Sequence, residues 1–250
     1  NISGMTVGAD GNIVLDANAN VIDTGATATG MVTVASGDDA TDSLLNSSIT
    51  AGGNVLVTLD EELGATDITT TGSATVTANN VTNSTVDSDG ALSVIADTDV
   101  SGSTFKTDSA TDAVVTATAG SIADSGVTAT AAGAVLTAGT DISATDVVTE
   151  GAAVLAATGD IVNSSATSNA AVTAGAANIT NLDVDAAGTA ALTATGAVSG
   201  GNVEASVATV TGALIANGTV LALAGDATLT SATNISGMTV GADGNIVLDA

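Results

Sequence analysis

The sequence predicts an all-β fold: a single-stranded parallel β-solenoid with coils of about 19 residues. Three observations lead there. Ile142, Ile161, Ile179 and Val198 open the same phrase, roughly every 19 residues. A period near 20 on short apolar positions marks a stacked repeat, in which one unit cannot bury its own core. Each phrase also ends in alternating apolar residues, as a strand does. Finally, the 250 residues contain no Pro, Cys, His, Trp or Tyr and a single Phe. Compact domains lean on aromatic side chains for buried area, whereas a narrow coil can be filled by Ala, Val, Leu and Ile.

Each element of the coil follows in order. After the opening residue, the next apolar column stands five residues on, as in Val7, Ala26, Val86, Val127 and Val147. Five is an odd step, so a bend or bulge must lie between if both ends point inward. Nine residues on stand Gly11, Gly30, Gly90, Gly151, Gly188 and Gly244, which predict a turn with positive φ. The columns at eleven, thirteen and fifteen alternate and predict one inward strand face. They nominate a core of Leu15, Leu92, Val94, Val135, Leu155, Val172, Leu192 and Leu248. Gly133 interrupts the eleven column.

Asn or Asp precedes most openers, as at Asn20, Asp67, Asn80, Asp99, Asp141, Asp160, Asn178 and Asn234. Both residues tolerate turn geometry and bond the backbone, so stacked copies predict a side-chain ladder. With Asp67-Ile68 as a junction, Ile68 to Val81 reads as a short coil. Residues 36 to 67 then read as extra material, with acidic loops at 36–48 and 58–67 that hold Asp38-Asp39 and Asp60-Glu61-Glu62. Residues 205 to 233 keep strand character but lose the phase.

Asn1 to Ala17 and Asn234 to Ala250 are identical, an offset of 233 residues or about 12 coils. Residues 1–250 read as one continuous solenoid, 1–233 as one long repeat unit and 234–250 as the start of the next. Seamless stacking would give Ile13 and Leu15 the environment of Ile246 and Leu248. The phrases Leu155-Ala-Ala-Thr-Gly-Asp-Ile-Val-Asn-Ser164 and Ala191-Leu-Thr-Ala-Thr-Gly-Ala-Val198 resemble the repeats of filamentous haemagglutinin-type adhesins. That resemblance implies a secreted or cell-surface bacterial protein with right-handed β-helix coils. A variable coil length also favours the right-handed form over a hexapeptide helix.

Charge bounds the function. One Lys stands against 27 Asp and Glu, a net charge of −26. Phosphate recognition needs cations, so nucleic acid is excluded as a partner. The longest uncharged runs, such as Ala205 to Gly225, are broken by polar residues, so no membrane insertion is expected. Without His, Cys, Arg or Tyr, most general-base and nucleophile arrangements cannot be built, and no catalytic site or cofactor is expected. Asp87-Ser-Asp-Gly90 starts like a calcium loop, making Asp87 and Asp89 the candidate metal ligands, although the third ligand and closing Glu are missing. Ice binding would need stacked Thr-x-Thr pairs. Thr27/Thr29 and Thr128/Thr130 share one column and Thr193/Thr195 fall in another, so they do not stack. Sequons at Asn46, Asn80, Asn83, Asn163, Asn178 and Asn217 are glycan candidates in a suitable host. The reading that survives is a structural extracellular or cell-surface fibre, or adhesin shaft, whose partner is itself through end-to-end or lateral assembly. The alternative is a repeated binding module using loops on one face.

Overall fold

The computed structural model describes residues 1–36 and 42–250. They form an all-β solenoid of about 13 turns, every strand pairing in parallel with the equivalent strand of the next coil, and the register shifts only at corners within the fused strands, between Ala186 and Thr189 and between Gly212 and Leu214. The opening residues make one continuous ladder: Ile2, Val21, Leu44, Leu63, Val81, Val100, Ile122, Ile142, Ile161, Ile179, Val198, Ile215 and Ile235. A typical coil holds a first strand of two residues (Ile142–Ser143), a second of four (Asp146–Thr149) and a third of five (Ala153–Ala157). The shortest coil runs from Val198 to Ile215 and the longest from Val21 to Leu44. The corners absorb the difference. In the later coils the corners tighten until strands fuse, as in Asn202–Ala216.

The bend required by the odd five-residue step is a single left-handed residue, two after each opener. It is Asn at 46, 83, 163, 181 and 217, Gly at 4, 102, 200 and 237, Asp at 23 and 124, and Ala at 65 and 144. One residue at positive φ reverses the pleat, so Ile142 and Val147 both face the core despite their spacing. The glycine column between the second and third strands does not have this geometry: Gly30, Gly90, Gly151 and Gly188 are absent from the positive-φ set. Close stacking is what selects glycine there. A Cβ on Gly90 would lie 2.7 Å from the backbone carbon of Gly72, and one on Gly151 2.5 Å from the amide nitrogen of Gly133.

The core is a stack of like on like. Leu15, Leu92, Val94, Leu155, Val172 and Leu192 are all buried, as their columns predict. Val135 is not: it points outward, and its neighbours Ala134 and Leu136 face in, Leu136 registering with Leu155. The coil from Ile122 to Ile142 carries one extra residue in the corner before this strand, which reverses the parity of everything after it. Leu248 sits in the inward register, opposite Leu229, yet is 55% exposed, and Ile246 is 48% exposed. Ile13 and Leu15 are each 5% exposed. Their strand, Ile13–Ala17, packs against the second strands of its own and the following coil, whereas Ile246–Asp249 is the last strand of the chain.

Two segmentations change. Ile68 is no opener: it lies in a second strand, between Ile49 and Val86, and Leu63 opens that coil. Residues 58–67 are therefore not a loop, and the coil from Leu63 to Val81 has ordinary length. Residues 205–233 keep their phase through Ile215.

Hydrogen bonds between coils explain the polar columns. The Asn/Asp ladder before the openers forms as expected: Asn20 Oδ1 accepts from the Ser43 amide (3.0 Å), Asp99 Oδ1 from Ser121 (2.8 Å), Asp141 Oδ1 from Asp160 (2.7 Å) and Asn178 Oδ1 from Ala197 (2.9 Å). A second ladder is buried. Thr24, Ser47, Thr66, Ser84 and Ser103 each donate their hydroxyl to the carbonyl two residues back. The hydroxyl oxygens of Ser47, Thr66, Ser84 and Ser103 also accept amide N–H groups from the preceding coil, as in Ser84 N–H to Ser103 Oγ at 3.1 Å. Buried hydroxyls are tolerated because each is satisfied.

Candidate functional site

The inner columns are committed to packing, so any site must use the corners or the outward sides of the strands. The second-strand face carries acid. Its two outward columns include Asp67, Asp87, Asp146, Asp183, Asp185 and Glu204, with Lys106 among them. Beside it, the left-handed bends leave a shallow open groove lined by Asp146, Asn163, Asn181 and Asp183. One oxygen of each carboxylate is already engaged: Asp146 accepts from the Ser165 hydroxyl, and Asp183 Oδ1 accepts from the Asn202 amide at 2.9 Å.

Asp87 and Asp89 lie two residues apart at the end of one second strand. Asp87 stacks directly on Lys106, whose Nζ lies 3.3 Å from Asp87 Oδ1 and 3.4 Å from Asp108 Oδ2. Hydrogen bonding to Asp87, then its charge, raises the Lys106 pKa above the ordinary lysine value. The Thr130 hydroxyl, 2.6 Å away, and Lys106 together lower that of Asp108. Asp89 is exposed and its amide donates to the Thr70 carbonyl. Among the described residues no group of three or more His, Cys, Asp or Glu side chains is arranged to hold a metal. Asp42 is fully buried, and among the described residues its carboxylate oxygens have no hydrogen-bond partner. Of the acidic loop at 36–48, Asp38 and Asp39 fall in residues 37–41, outside the described residues, while Leu44–Leu45 is a first strand.

Three sequons have a structural origin. In Asn46-Ser-Ser48, Asn83-Ser-Thr85 and Asn163-Ser-Ser165, the Asn takes the left-handed bend and the next Ser joins the buried hydroxyl ladder. The Thr columns also resolve. Thr27 stacks on Thr50, and Thr50 on Thr69, before Asp87 ends the run. Thr128 stands between Lys106 and Val148.

The third-strand face is not legible at the level of the sequence, because it emerges only once every strand is in phase. From Thr33 and Ala35 in the second coil to Thr228 and Thr230 in the twelfth, its two outward columns contain no charged residue. They hold Thr, Val, Ala, Ser, Leu, Ile and one Gly. Thr209 with Thr211 and Thr228 with Thr230 do stack as Thr-x-Thr pairs on consecutive coils. Asp16 and Asp249 bound this face in the first and last coils.

No family model, no curated protein and no solved structure matches the chain.

Proposed function

We propose that the chain is a segment of a structural rod: the shaft of an extracellular or cell-surface fibre, of the kind its repeats resemble in the filamentous haemagglutinin-type adhesins. One observation carries the reading. The identical segments Asn1–Ala17 and Asn234–Ala250 enter the solenoid in the same phase, with Ile2 and Ile235 in one opener ladder twelve coils apart. A 233-residue unit is thus a whole number of coils, and tandem units stack without a phase break despite coil lengths that differ. Coils advance about 4.8 Å each, so a unit lengthens the rod by about 58 Å. The role needs stiffness and length rather than a reactive centre, and every conspicuous polar column in the core serves to stack coils.

Chains of one, two and three 233-residue units, measured by small-angle scattering and negative-stain microscopy, test the reading. The expected result is a rod of constant cross-section that grows by about 58 Å per unit. Units that fold as separate bodies joined by flexible linkers would refute it.

A further inference from the structure

We propose that the uncharged third-strand face is where a second copy of this rod packs side by side with the first. The inference rests on the rod reading and names the surface through which rods associate.

Charge makes the first argument. With 27 acidic residues and one Lys, two copies repel each other over almost any contact. Acids occupy the second-strand face, the bends and the corners, for example Asp185, Asp124 and Asp141. Among the described residues, the third-strand face runs for eleven consecutive coils without one across two adjacent outward columns. The first strands also present an uncharged outward column, from Ser3 to Ser236, but it is one residue wide and flanked by acids such as Asp99, Asp141 and Asp124. A basic partner would be drawn to the other faces; the third-strand face fits a surface equally free of charge, and the second copy carries it. A face that pairs with itself about a two-fold axis satisfies this requirement.

Shape and chemistry agree. The third-strand ladder is parallel and in register throughout, which gives a regular sheet surface able to pack on another at about 10 Å. Leu56 and Ile95 are exposed there beside half-buried Val114 and Val154. The threonine hydroxyls of this face are free. Corner threonines such as Thr29, Thr71 and Thr98 donate to carbonyls of the preceding coil. Thr77, Thr116, Thr137 and Thr193, by contrast, make no side-chain hydrogen bond among the described residues. Across a two-fold contact, such hydroxyls can bond to one another. Eleven coils at about 4.8 Å by a strand about 15 Å long offer about 790 Å² per copy, close to the roughly 800 Å² per partner of a standard stable interface.

Sedimentation velocity tests this on the 250-residue chain, from about 1 to about 200 µM, where interfaces of this size are populated. The expected species has twice the 23.3 kDa monomer mass, and its share grows with sodium chloride as repulsion between rods is screened. The variant T116D/T193D, with both substitutions on outward positions, is expected to stay folded by circular dichroism and to sediment as a monomer. T128D/T167D, on the acidic second-strand face, is expected to dimerise as the parent does. A folded parent that stays monomeric at every concentration overturns the pairing and leaves the rod reading intact. Association that survives T116D/T193D but is lost in I246D/L248D also overturns it, assigning contact to the coil ends. A monomeric parent with thermal hysteresis that T116D/T193D abolishes overturns it in favour of ordered water on the same face.

Discussion

Replacing Leu136 and Val135 one at a time by Ala probes the coil register where sequence and structure part. Leu136 is fully buried, stacked between Val115 and Leu155, while Val135 lies on the outer face between Val114 and Val154. Leu136→Ala removes three buried carbons, about 2.4 kcal/mol at about 0.8 per methylene. The cavity closes poorly, because the neighbouring side chains are held by their own ladders, so the total should reach about 3 to 4 kcal/mol. Val135→Ala removes two half-exposed methyls and should cost less than about 1 kcal/mol. For a chain of this size 1 kcal/mol moves the melting temperature by about 2 to 4 °C. The expected drops are therefore about 6 to 16 °C and under about 4 °C. Urea unfolding followed by circular dichroism, at a protein concentration too low for association, gives the free energies. Hydrogen exchange should place the loss in the coils around residues 122–142, since each repeat contacts only its neighbours. Equal costs, or a larger cost for Val135→Ala, would refute the extra-residue corner and restore the register read from the sequence.

Other perturbations test the polar ladders and the charge. Ala144 holds the left-handed bend at φ 47°, where an L-residue is strained, so Ala144→Gly should raise stability by about 0.5 to 1 kcal/mol in urea titration. Ser103→Ala strands the buried Ser84 amide and should cost about 1 to 3 kcal/mol, whereas Ser101→Ala should change little in the same assay. Asp185 and Glu204 stack directly, like charge on like, so Glu204→Gln should raise the melting temperature at low salt and lose that advantage at high salt. The parent chain itself should melt higher as salt increases. Lys106 has a raised pKa, so its contribution is complete below the ordinary lysine value and lost as pH rises through the folded one. Asp108 has a lowered pKa, so its contribution is complete above the ordinary carboxylate value and lost as pH falls through the folded one. Lys106→Met should therefore lower the melting temperature between those limits, most at low salt, and remove the alkaline loss.

The coil can be read from the sequence because its inner columns obey a strict parity. Leu92, Val94 and Leu155 fall into place as soon as the openers are aligned. Parity also fails in a definite way. Val135 reads as inward because one residue added to a corner is invisible in composition and reverses the strand after it. Ile68 passes for an opener because Asp67 before it looks like the junction residue, although Leu63 opens that coil. The left-handed column has a usable signal: Asn, Gly or Asp stands two residues after most openers. It is masked by the glycines before the third strand, which are selected by backbone contact rather than by φ. The buried hydroxyl ladder hides inside triplets that read as sequons. Exposure at Leu248 depends on what stacks beyond it, which no column reports.

The constraints on each position show where this rod can carry information. Inner columns must stay apolar or carry a hydrogen-bonded hydroxyl, because each side chain packs on its counterparts one coil away in both directions. Bends must accept positive φ, and the ladder positions must accept or donate to a fixed neighbour. Variation in coil length is confined to corners, which leave the strand ladders in register on either side. Chemical freedom is left to the outward strand faces, yet the two broad ones differ: the second-strand face collects the carboxylates and the third-strand face excludes them over eleven coils. Strand propensity explains threonine and valine on both faces, but not the segregation of charge, since the second strands bear Asp and Glu at equivalent outward sites. Stacking acids in register costs stability on the face that has them. Spreading them over both faces would have lowered that cost, and the segregation is what the proposed pairing of the bare face with a second copy requires.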